Sequence, residues 1–281
     1  MSRISHTPPD AAAALDKPGA SFEHGTVEVF GHSVGFASAG EGDDVLVICP
    51  GSAGTDGSWA KDMLAQKMRV VELNPPGWGT TVSLDYRIDQ RELALVLAAA
   101  IGELGIARYH LHGASMGGVT ALWLATHYPE RVATISFEGG MNFVREENLV
   151  SPQNVRILRE MVARNDPEGS GYPRAAPHPR KPWSDDDYVR GQMRKRISMM
   201  RMLSNRHEAE LEARMNDFHV PALVLLGEED ELLKPNHLDR WKQVYPAART
   251  LLIPGAAHDI QNTEPEQLVE ALTRFHAEAA Q

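Results

Sequence analysis

His112-Gly113-Ala114-Ser115-Met116-Gly117-Gly118 lies between an apolar, strand-like run, Tyr109 to Leu111, and a helix-like run that begins at Val119. The G-x-S-x-G pattern in this setting is typical of a nucleophile elbow, a strand-to-helix turn that lifts a serine hydroxyl above the sheet edge. The outer glycines have a steric reason, because a Cβ two residues from a strained nucleophile would clash. The helix start also directs unpaired N–H groups at a developing negative charge. The same stretch fits a glycine-rich turn that only packs closely, so the interpretation depends on the rest of the chain.

The composition is that of an ordinary globular chain with an acidic balance. Its 281 residues are 42% hydrophobic and 23% charged, which suits one large domain or a domain with an inserted subdomain. The formal net charge of −10 argues against nonspecific nucleic-acid binding and against docking on anionic membranes. A small-molecule substrate is therefore the expected partner, and a homo-oligomer is compatible with the sequence.

Several features favour a cytoplasmic protein. Cys49 is the only cysteine, which rules out an internal disulfide and suits a reducing compartment. No apolar run reaches membrane-spanning length. The polar, Pro/Ala-rich stretch from Met1 to Ala20 lacks the apolar core of a secretory signal. We interpret residues 1–24 as a mobile lead-in.

Strand and helix patterns alternate along most of the chain. Apolar runs such as Val45 to Cys49 are typical of buried parallel strands, and helical patterns such as Asp89 to Leu104 follow them. This alternation predicts an α/β fold with a mostly parallel, doubly wound sheet flanked by helices. It stops within residues 141–218, where helical stretches surround a Pro/Gly-rich segment. We therefore expect a core of residues 25–140 and 219–281, with residues 141–218 inserted as a helical cap.

Two late loops carry the side chains that a serine nucleophile needs. A serine hydroxyl is a weak nucleophile unless a base takes its proton, and the base needs a group that fixes its tautomer. Asp230 follows a strand-like run that ends at Leu226, and His258 follows the next run, which ends at Ile253. Open α/β sheets present functional side chains at the carboxyl ends of their strands. Together with Ser115, these two residues are the candidate catalytic residues.

With its motifs in this order, the sequence resembles the α/β-hydrolase fold superfamily over roughly residues 25–281. Besides the elbow, Asp230 and His258, the resemblance rests on two loops, Pro50-Gly51-Ser52-Ala53-Gly54 and Asn74-Pro75-Pro76-Gly77-Trp78-Gly79. The first stands where the family has its oxyanion loop, and the second is similar to its Pro-Gly-x-Gly turn. The resemblance implies an α/β-hydrolase fold in which the backbone N–H groups of Ser52 and Met116 form the oxyanion hole.

Two positions depart from the family pattern. Pro50 replaces the histidine that usually precedes Gly51, so we expect the oxyanion loop to be held differently. Glu138 follows the strand after the elbow helix, a position that some members use for the triad acid. We favour Asp230 as the acid, because Glu138 fits equally well as a group that orients the cap hinge or as a solvated residue.

Other kinds of site find less support. His110 and His112 share one strand face, but no carboxylate or thiolate stands near them in sequence, so we expect no metal site. Residues 51–57 lack the lysine of a P-loop and the spacing of a dinucleotide turn, and no cofactor is expected. Cys49 fits a small core residue better than a nucleophile.

Side chains of the predicted cap bear on the substrate. Trp183 and Met199 belong to a methionine-rich group that packs the cap onto the core, lines an apolar substrate site, or does both. Residues 141–218 hold 14 Lys+Arg and 12 Asp+Glu, a balance of +2 against −12 for the rest of the chain. The run Arg194-Lys195-Arg196 fits a solvated helix face; if it faces the cleft instead, it would attract an anionic substrate.

The expected function is that of a serine hydrolase that cleaves an ester, a lactone or a related acyl bond of a small, partly apolar molecule. Members of the superfamily also include C–C bond hydrolases, lyases and cofactor-free oxygenases that use the histidine as the working base, and this alternative stays open. A non-catalytic small-ligand receptor is a third interpretation, although a pure binder has no need of nucleophile, base and acid together. Fold and triad are shared across many chemistries, so the sequence does not name the substrate.

Overall fold

The computed structural model describes residues 4–7, 18–19, 21–79, 81, 84–166 and 186–279. Its strands are β1 (Ile4–Thr7), β2 (Glu23–Val29), β3 (His32–Ala39), β4 (Val45–Cys49), β5 (Arg69–Asn74), β6 (Tyr109–Ala114), β7 (Val132–Glu138), β8 (Ala222–Gly227) and β9 (Arg249–Ile253). They form one sheet in the order β1-β2-β3-β5-β4-β6-β7-β8-β9.

The sheet is antiparallel at one end and parallel through the rest. Strands β1, β2, β3 and β5 pair antiparallel in that order, whereas β5, β4, β6, β7, β8 and β9 pair parallel. The parallel strands therefore direct their carboxyl ends at one sheet edge. The chain reverses its direction of travel across the sheet between β5 and β6, and such a switch point is where open α/β sheets bind ligands.

Helices cover both faces of the sheet. They are α1 (Trp59–Ala65), α2 (Gln90–Glu103), α3 (Gly117–His127), α4 (Pro152–Arg164), α5 (Asp186–Met202), α6 (Glu208–Arg214), α7 (Asn236–Val244), α8 (Ile260–Thr263) and α9 (Pro265–Ala279). One buried hydrophobic cluster joins the sheet to α2, α3 and α7, and a second joins it to α1 and α9. The predicted fold class, a mostly parallel doubly wound sheet flanked by helices, is confirmed.

Local sequence signals set the starts of two helices. The Ser58 side chain accepts a hydrogen bond from the Lys61 N–H at 3.3 Å and caps α1. Asp89 caps α2 and forms a capping box with Glu92, because each side chain accepts from the other residue's backbone N–H. None of the described helices is both long enough and apolar enough to cross a membrane.

Helices α4, α5 and α6 lie between β7 and β8, within the segment predicted as a cap. The described parts of this segment join the rest of the chain near both of its ends. Leu149 forms an antiparallel bridge with Leu233, and Leu203 forms a parallel bridge with Ile88. The division into core and cap remains a prediction at this point.

Three of the described strands and α-helices were absent from the sequence prediction. Strand β1 lies inside residues 1–24, which were predicted as a mobile lead-in, and it pairs with β2 through main-chain groups. An exposed sheet edge offers unpaired N–H and C=O groups that a short polar stretch can pair with, without an apolar pattern to announce it. The short helices α6 and α8 were likewise not predicted.

Candidate active site

Ser115 lies at the turn between β6 and α3 with a positive φ of 49°. A non-glycine residue in this conformation costs about 1–3 kcal/mol, so its surroundings must hold it there. The Ser115 N–H donates to the Glu138 carbonyl at 2.8 Å, and the Ser115 carbonyl accepts from Gly118 and Met141 at 3.1 and 3.0 Å. These three bonds fix the strained turn that the G-x-S-x-G pattern predicts.

The glycines of the elbow have steric reasons, although the partners differ from those expected. A Cβ on Gly117 would lie 2.2 Å from the carbonyl oxygens of Cys49 and Pro50. A Cβ on Gly113 would lie 2.6 Å from the Cα of Gly118. The glycines thus let the start of α3 pack against β6 and the end of β4, rather than only relieving crowding around the serine.

His258 connects Ser115 to Asp230 through two hydrogen bonds. The Ser115 hydroxyl lies 3.0 Å from His258 Nε2, and His258 Nδ1 lies 2.8 Å from Asp230 Oδ2. The other carboxylate oxygen, Oδ1, accepts from the backbone N–H groups of Leu232 and Leu233 at 2.7 and 2.9 Å. The Asp230 side chain is fully buried, and that of His258 is 13% exposed. The three predicted residues therefore form one hydrogen-bonded chain with the base in the middle.

The carboxylate controls the proton affinity of the imidazole. Burial by itself lowers the pKa of His258, but the charge and hydrogen bond of Asp230 outweigh burial and raise this pKa to about 9. Burial also opposes the Asp230 charge, yet His258 and the two backbone N–H groups hold the pKa of this carboxyl below its ordinary value. The pair thus stabilises an imidazolium beside a carboxylate, the charge state that arises when the serine gives up its proton.

The two predicted oxyanion donors lie on loops next to Ser115. Gly51 is close to the serine, since a Cβ placed on Gly51 would lie 3.6 Å from the Ser115 Cβ. Neither the Ser52 N–H nor the Met116 N–H donates to a described residue. Two backbone donors without a partner among the described residues, beside a candidate nucleophile, are what an oxyanion hole requires.

Trp78 fixes the peptide group that carries one of these donors. Its indole Nε1–H donates to the Gly51 carbonyl at 2.9 Å, and the Gly54 N–H donates to the same oxygen at 3.0 Å. The Gly51 carbonyl and the Ser52 N–H belong to one planar trans peptide, so they point in opposite directions. Holding the carbonyl therefore aims the Ser52 N–H, which is how this loop is held although Pro50 replaces the family's histidine.

Glu138, the alternative acid, bonds other groups. One of its carboxylate oxygens lies 3.3 Å from His112 Nε2, and the other accepts from the Gln261 N–H at 2.9 Å. His112 Nδ1 in turn lies 2.8 Å from the Ser136 hydroxyl. Glu138 is 2% exposed, so it is not solvated. Its carboxylate oxygens bond His112 and Gln261 rather than His258.

The residues predicted to line the substrate site have different outcomes. Met199 is fully buried in the hydrophobic core and exposes no surface to a ligand, so we do not carry it into the proposed site. Trp183 lies outside the described residues. In the basic run, Arg194 is exposed as expected of a solvated face. Arg196 differs, because it is half-buried and its Nε donates to the Ser52 hydroxyl at 3.0 Å.

The described residues offer neither a metal site nor a reactive thiol. They contain no cluster of three His, Cys, Asp or Glu side chains that could hold a metal ion. His110 and His112 have carboxylate neighbours that the sequence did not reveal, Asp44 and Glu138 respectively. Burial, aided by the charge of Glu72, raises the pKa of the Cys49 thiol to about 12, so Cys49 stays protonated and inert.

The chain is similar in sequence to known proteins. The model of the "Alpha/beta hydrolase family" matches residues 46–271, well over half of the chain. The "dihydrolipoyllysine-residue acetyltransferase component of acetoin cleaving system" of Pseudomonas putida is 27% identical over 256 residues, 85% of this chain and 65% of that protein. A "2-hydroxy-6-oxononadienedioate/2-hydroxy-6-oxononatrienedioate hydrolase" of Burkholderia vietnamiensis is 38% identical over 114 residues, 38% of this chain and 40% of that protein. The chain thus spans less than two thirds of either relative.

Solved structures agree on the fold. A carboxylesterase of Bacillus subtilis superposes with a TM-score of 0.68 at 16% identity, covering 90% of this chain and 91% of the other. At that identity the likeness concerns the fold alone. The family match and the sheet lead to one conclusion: the chain belongs to the alpha/beta hydrolase family.

Proposed function

We propose that this chain is a serine hydrolase that cleaves an ester, a lactone or a related acyl bond of a small, partly apolar molecule. The observation that carries the proposal is the unbroken hydrogen-bonded chain from Ser115 through His258 to Asp230. Residues 141–218 would form the cap over this site. A small-molecule substrate, a cytoplasmic location and the lack of nucleic-acid and membrane partners remain predictions from composition.

The proposed reaction proceeds through an acyl-enzyme. His258 Nε2 takes the hydroxyl proton as the Ser115 oxygen attacks the carbonyl carbon, while Asp230 stabilises the imidazolium. The N–H groups of Ser52 and Met116 take up the negative charge on the carbonyl oxygen. The imidazolium returns the proton to the leaving alkoxide, and the C–O bond breaks. A water molecule, deprotonated by His258, then releases the acid and regenerates the serine.

A fluorophosphonate probe tests the nucleophile directly. Wild-type protein should react at one site, because an activated serine attacks phosphorus and expels fluoride. Ser115→Ala should abolish this labelling. It should also lower kcat for a p-nitrophenyl ester by about 10⁵–10⁶-fold, the size of effect seen when a triad serine is replaced in other serine hydrolases. Labelling that survives the substitution at full strength would refute the assignment.

A second candidate function is C–C bond hydrolysis, which the similarity to the 2-hydroxy-6-oxononadienedioate hydrolase of Burkholderia vietnamiensis favours. In that case the histidine is the working base and the serine is less important. A Ser115→Ala variant would then retain much of its activity on 2-hydroxy-6-oxononadienedioate, whereas His258→Ala would lose it. A receptor without turnover would bind a small apolar ligand and hydrolyse no activated ester.

A further inference from the structure

Arg196 joins the segment above the sheet to the loop beside the nucleophile. It lies on α5, is half-buried, and donates from Nε to the Ser52 hydroxyl at 3.0 Å. Ser52 itself is 8% exposed. The backbone N–H of the same residue is the proposed oxyanion donor. The guanidinium therefore bonds the side chain of the same residue whose backbone N–H would bind the scissile carbonyl.

The charge of Arg196 has no acidic partner among the described residues. The arginines on other helices show the contrast, since Arg91 and Arg214 both pair with Glu210. The partner of Arg196 is a neutral hydroxyl, which accepts one hydrogen bond but does not neutralise a charge. A cation that is partly removed from water favours an anionic partner.

The geometry of the side chain favours a carboxylate. The bond to Ser52 uses Nε only, and the terminal nitrogens donate to no described residue. A guanidinium offers paired N–H groups in a plane that match the two oxygens of a carboxylate. The hydrogen bond to the Ser52 hydroxyl would fix the orientation of this plane, because a binding side chain is held in place by supporting hydrogen bonds.

We propose that Arg196 binds a carboxylate of the substrate, so that the enzyme acts on acyl compounds that carry a free carboxylate close to the scissile bond. This inference rests on the proposed serine hydrolase and names the substrate class of that site. Because Ser52 serves both groups, the carboxylate and the scissile carbonyl lie only a few atoms apart. A long neutral acyl chain would leave the guanidinium without its anion.

Matched pairs of charged and neutral esters test the proposal. Mono-p-nitrophenyl glutarate and p-nitrophenyl valerate share a five-carbon acyl chain and differ in one carboxylate, whereas 4-acetoxybenzoate and p-tolyl acetate place the difference on the leaving group. For one of these pairs, Arg196→Gln should lower the ratio of charged to neutral kcat/KM by about 10- to 100-fold, the usual effect of losing a charge-assisted hydrogen bond. Arg196→Lys keeps the charge but lacks the paired N–H groups of the guanidinium, so it should give an intermediate ratio.

Arg194→Gln is the matched control, because it removes the same charge from an exposed position on the same helix. It should leave both ratios within about twofold of wild type. Unchanged ratios in Arg196→Gln, or an equal fall on charged and neutral esters, would overturn the proposal and leave Arg196 as a clip between α5 and the loop. Calorimetric binding of glutarate to Ser115→Ala, with and without Arg196→Gln, tests the carboxylate site without turnover, so a failed hydrolase assignment and a failed carboxylate site give different results.

Discussion

Two buried carboxylates act on His258 from different positions. Asp230 bonds the ring directly, whereas Glu138 bonds His112 and Gln261 and reaches the ring only through its charge. That charge, after those of Asp230 and Glu231, also raises the pKa of His258. We therefore propose different roles for the two acids, orientation of the ring for Asp230 and electrostatic support for Glu138.

The pH dependence of kcat/KM separates these roles. His258 must be neutral to accept the serine proton, so activity rises with pH as the imidazolium, whose pKa is raised to about 9, loses its proton. Glu138→Gln removes one negative charge, lowers the pKa of His258 and should move this limb to lower pH, with the plateau within about tenfold of wild type. Asp230→Asn should also lower the pKa but reduce kcat by about 10⁴-fold, because the tautomer is lost. Equal losses of kcat in both variants would make Glu138 an essential acid as well.

The sequence predicts single residues where a motif names them, and it does not predict contacts that depend on the sheet register. Ser115, Asp230 and His258 each follow a strand, and their order along the chain, together with the family resemblance, points to them. The contact between His112 and Glu138 depends on the parallel register of β6 and β7, which pairs His112 with Ser136. No local pattern encodes that register, and the same holds for the bond from Arg196 to Ser52.

At the scale of elements, the loop after β5 supports the loop after β4. Trp78 holds the Gly51 carbonyl, and the Asn74 side chain accepts from the Thr55 N–H at 3.2 Å. Gly54 has a φ of 85°, and a Cβ on it would lie 2.5 Å from Gly79. The Pro-Gly-x-Gly resemblance predicted the second loop, but only the packing of the two loops reveals that it holds the peptide of the proposed oxyanion donor.

Replacing the indole tests this support. Trp78→Phe keeps a buried ring but removes the Nε1–H, so the Gly51 carbonyl keeps only the bond from the Gly54 N–H and the Gly51–Ser52 peptide is held less firmly. We expect kcat to fall by about 10- to 100-fold with a smaller change in KM, since a lost oxyanion donor costs about 10²–10³ in rate. A boronic acid that mimics the tetrahedral intermediate should lose affinity by a similar factor, which a purely structural defect would not produce.

Trp123→Phe is the control for that substitution. Trp123 is also fully buried, and its indole donates to a backbone carbonyl, that of Arg206, at the same distance of 2.9 Å. It lies on α3, away from the oxyanion loop, so the variant should lose comparable stability while kcat stays within about threefold. Parallel losses of kcat in both variants would show that Trp78 acts through packing alone.

At the scale of the whole molecule, the segment between β7 and β8 is tied to the loop that follows β8 and to the loop that follows β5. The Val150 N–H donates to Leu232 at 3.0 Å, two residues after Asp230. At the other end, the Ser204 N–H donates to Ile88 at 2.8 Å. The sequence predicted an insertion because the strand alternation stops there, but anchors made by isolated bridges leave no periodic pattern and were not predictable.

Native-state hydrogen exchange tests how this segment moves. Helix α4 buries only Met161 among its residues, so its amides should exchange rapidly through local opening. The anchor amides of Val150 and Ser204 should exchange more slowly than those of α4, because they donate to backbone carbonyls at or beside the buried residues Leu233 and Ile88. Phosphonylation of Ser115 should slow exchange in α4 and α5 and leave the anchors unchanged, with Ser115→Ala treated alike as the control. If the anchor amides exchange as fast as those of α4, the prediction is wrong, and the whole segment opens as one unit. Substrate access would then require breaking the contacts beside Asp230.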